Sequence, residues 1–369
     1  MIYMNNAATS WPKPSCVGEA ISKALSAPPG EHLRGGFSEV DVFEEVRKAL
    51  LPVFGVSDSS RIALGPNATW ALNQAIMGLN LQKGDTVLTT KAEHNSVLRP
   101  LYRLSQQGIR VEYAETDQWG RVDPKVWKQK SAQYHPRLSV FTHASNVTGA
   151  VNDAAVLCNI SKEENSIILL DSSQTIGCIP INVKEIKADM LAFTGHKYLL
   201  GPQGTGGLWV SPHIDLQPLL VGGTGIHSDL PTMPSQMPVH LEAGTGNEPS
   251  FYGLLAALLW QKERPFPYEE ILNMTEYLSK SLCSLGAAVI DPPGQRTPVI
   301  SFQIPGMSAS EAGYLLKEGC GICCRTGLHC APMIFSCLGV TETIRLSLSR
   351  FTTMEEINAV IEAVEDIMS

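Results

Sequence analysis

The sequence predicts an α/β fold, in which a mostly parallel sheet carries helices on both faces, followed by a smaller α+β domain. Short apolar runs alternate with helical patterns through residues 61–210, which is typical of βαβ units. The run at residues 166–171 is almost wholly apolar, as expected for a strand buried on both faces. From residue 250 onward, two long helical patterns precede the remaining strands, which indicates a second domain.

Each predicted element is an apolar periodic segment bounded by Gly, Pro or polar residues. A helical pattern covers residues 19–53, with breaks at 28–30 and at a loop at 32–36. The Gly- and Pro-rich stretch at 221–246 lacks clear periodicity and is interpreted as a long functional loop. The other elements are strands at 61–64, 85–90, 138–143, 166–171, 190–194, 206–210, 299–303 and 343–349, and helices at 69–81, 97–107, 250–263, 268–285 and from 353 onward.

The composition is that of a folded, acidic protein. Hydrophobic residues make up 44% and charged residues 17% of the 369 residues, and the formal net charge is −8. These values exclude a disordered chain and disfavour nucleic acid or an anionic membrane as a partner. No apolar run approaches the ~18 residues that a membrane helix needs, and we see no secretory signal. Nine cysteines, an odd number, indicate free thiols in a reducing compartment, so we expect a cytoplasmic protein.

Polar residues at the carboxyl ends of the strands are the first candidates for a site, because ligands of open α/β sheets bind there. Asp171 ends a buried strand, and Lys197 follows the next strand, just before a Gly-rich turn. Taken alone, Asp171 is equally well explained as a helix cap, and Lys197 as a solvated loop residue. Together they form the pair that pyridoxal 5′-phosphate (PLP) requires, an amine for the Schiff base and an acid for the pyridinium nitrogen.

A phosphate-bearing cofactor also needs an anion cradle. Residues 65–69 precede a predicted helix, so backbone N–H groups and the Thr69 hydroxyl are available to an anion there. His94 follows another strand, where an imidazole can stack on a ring and move protons. Both signals are weak alone, because small polar residues begin most helices and a lone histidine is more often structural.

With these residues in place, the chain resembles the class V aminotransferase-fold enzymes, and specifically the cysteine desulfurases and selenocysteine lyases. The resemblance covers nearly the whole chain, and its most specific part is Gly195-His196-Lys197. The other matching segments are Met4–Thr9, Glu93–Ser96, Ser145–Gly149, Asp171–Gln174, Gly201–Gly204, Glu242–Thr245 and Arg345–Thr353.

The resemblance implies the type I fold of PLP-dependent transferases, with a seven-stranded, mostly parallel sheet. It implies a large PLP-binding domain at 16–249 and a small domain at 1–15 and 250–369. Lys197 would carry the cofactor, His94 would stack on its ring, and Thr245 would reach the phosphate of a second subunit in a homodimer. The other implied roles are Asp171 on the ring nitrogen, Gln174 on the phenolic oxygen, Ala68, Thr69, Thr194 and His196 on the phosphate, and Asn146 and Arg345 on the substrate carboxylate.

A second informative segment is Arg325–Pro332, which resembles the segment that carries the persulfide-forming cysteine of the group II (Suf-type) desulfurases. Arg325 and His329 would supply positive charge beside Cys330, which favours the reactive thiolate. We also count Arg325 among the substrate-binding residues. Leu328 stands where that branch has a histidine, and Pro332 where it usually has glutamine, so loop shape and partner docking are open to change.

A metal or iron–sulfur site is a weaker explanation of the cysteine-rich run at Cys320, Cys323, Cys324 and Cys330. Cys-x-x-Cys is a common ligand spacing. However, adjacent residues on a strand point to opposite faces, and no second paired motif completes a ligand set. We therefore predict no metal site and expect Cys320, Cys323 and Cys324 to be buried small residues.

The combined expectation is a PLP-dependent desulfurase that converts L-cysteine to L-alanine, with His94 assisting proton transfer and sulfur leaving on Cys330 to an acceptor protein. Three alternatives stay open. One is a selenocysteine lyase, for which Cys330 is dispensable. Another is a PLP-dependent β-lyase or epimerase that does not use Cys330. A protein that kept the fold but serves as a metal-binding scaffold is the third, and an intact set of Lys197, Asp171 and Arg345 argues against it.

Overall fold

A computed structural model describes residues 1–28 and 40–369 of the chain; the predicted loop at 32–36 and most of the break at 28–30 lie outside these residues. The helices are α1 Ser15–Leu25, α2 Val42–Phe54, α3 Ala68–Gly78, α4 Asn95–Ser105, α5 Pro124–Tyr134, α6 Ala154–Glu163, α7 Val183–Ile186, α8 Glu248–Glu263, α9 Tyr268–Ser284, α10 Ala309–Tyr314, α11 Ile334–Leu338 and α12 Met354–Met368. The strands are β1 Ile2–Tyr3, β2 Ile62–Gly65, β3 Thr86–Thr90, β4 Arg110–Ala114, β5 Leu138–Thr142, β6 Ile167–Asp171, β7 Met190–Thr194, β8 Gly206–Val210, β9 Ala288–Ile290, β10 Val299–Gln303, β11 Ile322–Cys323, β12 Arg325–Gly327 and β13 Thr343–Ser347.

The large sheet has seven strands in the order β2-β8-β7-β6-β5-β3-β4. Strands β4, β3, β5, β6 and β7 are mutually parallel, whereas β8 runs antiparallel to both β7 and β2. One face of the sheet packs on Phe54 of α2 and Trp127 of α5, and the other on Leu72 of α3 and Leu101 of α4. The predicted mostly parallel sheet with helices on both faces is therefore confirmed.

A smaller antiparallel sheet follows, in the order β12-β13-β10-β9. It packs on α9 and α12 through a separate apolar core that includes Leu278 and Val360. The N-terminal strand β1 pairs with β11 of this C-terminal region, and Met4 is buried in the same core. The first residues of the chain are thereby attached to elements more than three hundred positions away.

The predicted elements lack the edge strand β4 and the helices α5 and α6. In β4, Arg110 and Glu112 form an ion pair, and only Ala114 is buried. An edge strand with charged side chains lacks the apolar run by which the other strands were found. The predicted strands agree with the structure to within about three residues, as expected for element ends. The same holds for the predicted helices at 69–81, 97–107, 250–263 and 268–285.

The proposed division at residue 249 stays a prediction, but packing bears on it. Phe251, Leu254 and Leu258 of α8 belong to the apolar core of the large sheet, which favours a boundary after α8. Within residues 1–28 and 40–369, no helix has the length and apolar character needed to cross a membrane. In the same residues, no group of three or more His, Cys, Asp or Glu side chains has a metal-binding arrangement.

Candidate active site

The carboxyl ends of the parallel strands surround a cavity of about 210 Å³. Strand β6 ends at Asp171 and β7 at Thr194, and both residues line the cavity. Most of the predicted site residues meet at this one place. The predicted residues in its lining are Ala68, Thr69, His94, Asn146, Asp171, Gln174, Thr194, His196, Lys197, Arg325 and Arg345.

Lys197 is held at the cavity by a tight turn after β7. The turn is closed by backbone hydrogen bonds from Gly195 to Thr205, from Gly201 to Gly195 and from Leu200 to Lys197. A Cβ at Gly195 would lie 2.2 Å from Thr205 Oγ1, so the glycine is required by close approach. Burial lowers the pKa of Lys197 to about 8, and nearby arginines act in the same direction. The amine is therefore available as a nucleophile close to neutral pH.

Asp171 is buried, with 4% of its surface exposed. Its Oδ1 accepts hydrogen bonds from the backbone N–H of Ser173 at 2.9 Å and from the Ser173 hydroxyl at 2.5 Å. The carboxylate also raises the pKa of Lys197, against the effect of burial. The helix cap weighed from sequence is not found, because a turn and not a helix follows β6. The contacts to Ser173 hold that turn and occupy one oxygen of a carboxylate that also lines the cavity.

The start of α3 supplies the predicted anion cradle. Asn67 caps the helix by accepting from the Trp70 N–H at 2.9 Å, which leaves the first N–H groups directed toward the cavity end. Thr69 Oγ1 is 2.8 Å from Ser96 Oγ at the start of α4. Two helix starts therefore meet here, and Ser96, which the sequence analysis did not single out, joins them.

His94 is the N-cap of α4, and its protonation state follows from that position. Its Nδ1 accepts from the Ser96 N–H at 3.1 Å, so the ring proton of the neutral form belongs on Nε2. Burial lowers the pKa of His94 to about 4, and the charge of Lys197 contributes. At neutral pH this imidazole is therefore uncharged.

Two arginines face the same cavity from the small sheet. Arg325 of β12 and Arg345 of β13 are paired directly across the strands. Arg345 is fully buried and donates to Asn146 O at 2.8 Å and to Asn5 Oδ1 at 3.2 Å. Burial lowers the pKa of Arg345 to about 9, and Arg325 adds to the effect. Neither arginine forms an ion pair with a carboxylate of the described residues, so the pair attracts a ligand's carboxylate.

Cys330 lies beside this pair. Arg325 Nη2 donates to Cys330 Sγ at 2.9 Å, which places a guanidinium directly on the sulfur. The predicted charge on His329 is wrong. Its ring is buried and makes its Nε2 hydrogen bond to Thr343 Oγ1 at 2.8 Å, and burial, with help from the arginines, lowers the pKa of His329 to about 3. The positive charge at the thiol thus comes from Arg325, and His329 serves to hold the loop.

The expectation that Cys320, Cys323 and Cys324 are buried is also wrong. Cys320 is exposed, and Cys323 and Cys324 are half-buried. Cys320 lies in a turn, Cys323 in β11 at the pairing with β1, and Cys324 in the link from β11 to β12, where it packs partly against the small-domain core. The cysteines that do behave as buried apolar residues are Cys158 and Cys178.

Thr245 is not in the lining of the Lys197 cavity and lines a second cavity of about 530 Å³. Its loop is anchored by Glu242, which pairs with buried Arg47 at 2.7 Å and accepts from the Leu64 N–H at 2.6 Å. Thr245 therefore does not line the cavity of its own Lys197, and its expected role toward a second subunit stays a prediction.

The N-terminal arm is the part of the site whose role the sequence analysis missed. Gln174 Nε2 donates to Ala7 O at 3.1 Å, and Asn5 contacts Arg345. Lys13 Nζ donates to His196 O at 2.8 Å. The motif at residues 4–9 is part of the resemblance, but its amino-acid sequence does not indicate which distant residues it contacts.

Unpaired buried atoms around the cavity match the polar groups of PLP. Gln174 Oε1, His196 Nδ1 and Arg345 Nε have no hydrogen-bond partner in the described part of the chain. Buried polar atoms are normally paired, so these three are suited to a ligand. Gln174 Oε1 can accept from a phenolic hydroxyl, the tautomer of His196 with its proton on Nδ1 can donate to a phosphate, and Arg345 Nε can donate to a substrate carboxylate. The Lys197 amine and the Asp171 carboxylate lie in the same cavity. The residues present therefore fit PLP.

The fold and this cavity define a class of α/β protein in which a buried lysine and two arginines line a pocket at the carboxyl ends of the strands. The family model for "Aminotransferase class-V" matches residues 2–360. The chain is 31% identical to the "Probable cysteine desulfurase" of Methanothermobacter thermautotrophicus over 99% of this chain and 94% of that protein. It is 30% identical to "Cysteine desulfurase CsdA" of Escherichia coli over 99% and 93%.

Solved structures give the same result. The apo cysteine desulfurase of Thermococcus onnurineus NA1 superposes with a TM-score of 0.90 at 27% identity, covering 100% of this chain and 94% of that one. Escherichia coli CsdA in its S-sulfonic acid form superposes with a TM-score of 0.89 at 26% identity, covering 99% and 94%. The chain therefore belongs to the aminotransferase class-V family, which uses PLP, and is a homologue of the cysteine desulfurases.

Proposed function

We propose that the protein is a PLP-dependent cysteine desulfurase that transfers the sulfur of L-cysteine to Cys330. The observation that carries the proposal is the 2.9 Å contact between Arg325 Nη2 and Cys330 Sγ at the edge of the Lys197 cavity. A class-V enzyme that makes no use of a thiol has no need of a guanidinium on that sulfur.

The residues divide the work of holding the cofactor and substrate. Lys197 would hold PLP covalently, Asp171 would keep its ring nitrogen protonated, and PLP would supply an electron sink for charge at the substrate Cα. Arg345 would bind the substrate carboxylate, because its buried charge has no carboxylate partner among residues 1–28 and 40–369 and therefore favours an anion. Gln174, His196 and the start of α3 are the polar groups left for the cofactor's oxygens.

The same residues can move the protons that the reaction needs. The Lys197 amine, with its pKa lowered to about 8 by burial, would accept the Cα proton once substrate has displaced it. His94, uncharged at neutral pH, can relay a proton through Nε2. Cys330 thiolate then forms an S–S bond to the substrate sulfur while the substrate C–S bond breaks. L-Cysteine and the Cys330 thiol give L-alanine and the Cys330 persulfide, so atoms and electrons balance without an external oxidant.

The test is incubation of the PLP-loaded protein with L-cysteine, followed by quantification of alanine and of the mass of the Cys330 peptide. We expect alanine in step with a 32 Da gain on that peptide, the mass of one sulfur atom. Cys330→Ala should still hold the cofactor on Lys197, as shown by its irreversible attachment after borohydride reduction, and should lose alanine formation. Lys197→Ala should lose both. Alanine formation by Cys330→Ala at the wild-type rate would overturn the role of the thiol.

The same assay separates the remaining alternatives. A protein that releases alanine from L-selenocysteine but not from L-cysteine is a selenocysteine lyase. Pyruvate and ammonia indicate a β-lyase, and a racemised amino acid indicates an epimerase.

We further propose a homodimer in which Thr245 reaches the partner's phosphate site, and a sulfur-acceptor protein that takes the persulfide sulfur. If Thr245 reaches the partner's phosphate site in a homodimer, Thr245→Val should weaken PLP retention.

A further inference from the structure

The loop that carries Cys330 has a backbone conformation that it would not adopt unaided. His329 and Cys330 both have positive φ, at +48° and +61°, and neither is a glycine. The left-handed region is unfavourable for such residues. Within the loop, the Ala331 N–H donates to Leu328 O at 2.9 Å. Contacts from outside the loop must therefore keep it in place.

Besides the Arg325 contact to the Cys330 sulfur, three hydrogen bonds hold the loop backbone and the His329 ring, each from a different part of the chain. The Asn95 N–H at the start of α4 donates to Cys330 O at 2.7 Å. Thr343 Oγ1 at the start of β13 holds the His329 ring at 2.8 Å. Asn146 Nδ2 donates to His329 O at 2.7 Å. Of the residues that make these three hydrogen bonds to the loop, Asn146 alone also lines the Lys197 cavity.

Asn146 is itself rigidly placed. It lies in a turn where Ser145 Oγ accepts from the N–H groups of Val147 and Thr148, each at 3.2 Å. The carbonyl of Asn146 accepts from Arg345 Nη1 at 2.8 Å. One residue thus contacts the arginine expected to bind the substrate carboxylate through its backbone and the cysteine loop through its side chain.

We propose that Asn146 is a positioning residue for Cys330, which fixes the thiol relative to a substrate held on Arg345. The proposal rests on the proposed function and gives Asn146 a different main task from the carboxylate ligand that the sequence suggests. A carboxylate ligand contributes to substrate affinity. A positioning residue contributes to the rate of sulfur transfer at saturating substrate, because small displacements of a reacting atom are costly.

The test compares Asn146→Ala with Thr343→Val, which removes another anchor of the same loop without touching the cavity. Both PLP-loaded variants are mixed with L-cysteine, and persulfide formation on Cys330 is followed in a single turnover across substrate concentrations. We expect both to slow the saturating rate by about tenfold or more, with the half-saturating concentration of Thr343→Val within about twofold of wild type. An Asn146→Ala variant that raises half-saturation while keeping the wild-type saturating rate would show a carboxylate ligand instead.

A second readout does not depend on activity. Hydrogen–deuterium exchange of a peptide covering residues 325–333 reports how firmly the loop is held. We expect faster exchange in both variants than in wild type. Unchanged exchange in Asn146→Ala overturns the proposal. If wild type forms no Cys330 persulfide, the proposed function fails, while the exchange result still decides whether Asn146 holds the loop.

Discussion

Glu93 is a fully buried carboxyl group next to His94, and it makes the stability of the protein depend on pH. Its Oε1 accepts from Thr90 Oγ1 at 2.5 Å and from the Thr142 N–H at 3.0 Å, whereas Oε2 has no partner among the described residues. Burial raises the pKa of Glu93 to about 8, and the nearby Asp171 carboxylate adds to the effect. The folded protein therefore holds a neutral carboxylic acid at pH 7.

Glu93→Gln removes this titration while keeping the size of the side chain and the acceptor at Oε1. In wild type, the unfolded chain loses the Glu93 proton near pH 4.5 and the folded chain only near pH 8. Between these values the folded state binds more protons, so wild-type stability falls as pH rises, by about 1.4 kcal/mol per unit. From pH 6 to pH 7.5, the stability of Glu93→Gln relative to wild type should therefore increase by roughly 2 kcal/mol.

The measurement is urea unfolding of both proteins at pH 6, 6.5, 7 and 7.5, with the same excess of PLP. Glu115→Gln serves as the matched control, because it removes an acidic side chain that is 59% exposed and reports the effect of losing a surface charge. A stability difference between Glu93→Gln and wild type that stays constant over this range would mean that Glu93 is already ionised in the folded state. The argument from burial would then be wrong.

Three further changes test the site and the sheet. Arg325→Gln should slow alkylation of Cys330 by iodoacetamide roughly tenfold, because a charged donor to sulfur contributes about 1.5–3 kcal/mol before solvent screening; an unchanged rate measured by mass spectrometry would contradict this. Asp189→Asn should lower the free energy of unfolding by about 2–3 kcal/mol, since buried Asp189 accepts from Lys162 Nζ, His213 Nε2 and the Ile168 N–H, and urea unfolding measures it. Asn67→Ala should cost about 1 kcal/mol as a lost helix cap and weaken PLP retention, which dialysis followed by absorbance measures.

The sheet and the core of the site could be predicted because local patterns specify them. Strands β5, β6 and β7 are mostly apolar, and the polar residues at and after their carboxyl ends meet by topology alone. Edge strand β4 could not be found in this way, because its charged side chains follow from its position at the edge of the sheet. Similarly, the exposure of Cys320 depends on what packs around it, which neighbouring residues in the sequence do not determine.

The arrangement around Cys330 was predictable in composition but not in geometry. Arg325 and His329 are both cationic residue types close to the cysteine in sequence, and only the fold separates their roles. Strand pairing with β13 turns Arg325 toward the cavity, while the left-handed backbone at His329 sends its ring to Thr343. A reading of residue types assigns charge to both, whereas burial leaves charge only on Arg325.

Strand pairing places two arginines of the cavity, Arg325 and Arg345, opposite each other at a cost in electrostatic energy. Paired cations directly across two strands are unfavourable, and buried Arg345 has no carboxylate partner in the described chain. In the proposed reaction, the substrate carboxylate removes this penalty, so binding energy comes from relieving a cost already present in the fold. Arg325 is then left to the Cys330 sulfur. The pairing destabilises the free site, and in the proposed reaction it leaves Arg345 for the substrate carboxylate and Arg325 for the Cys330 sulfur.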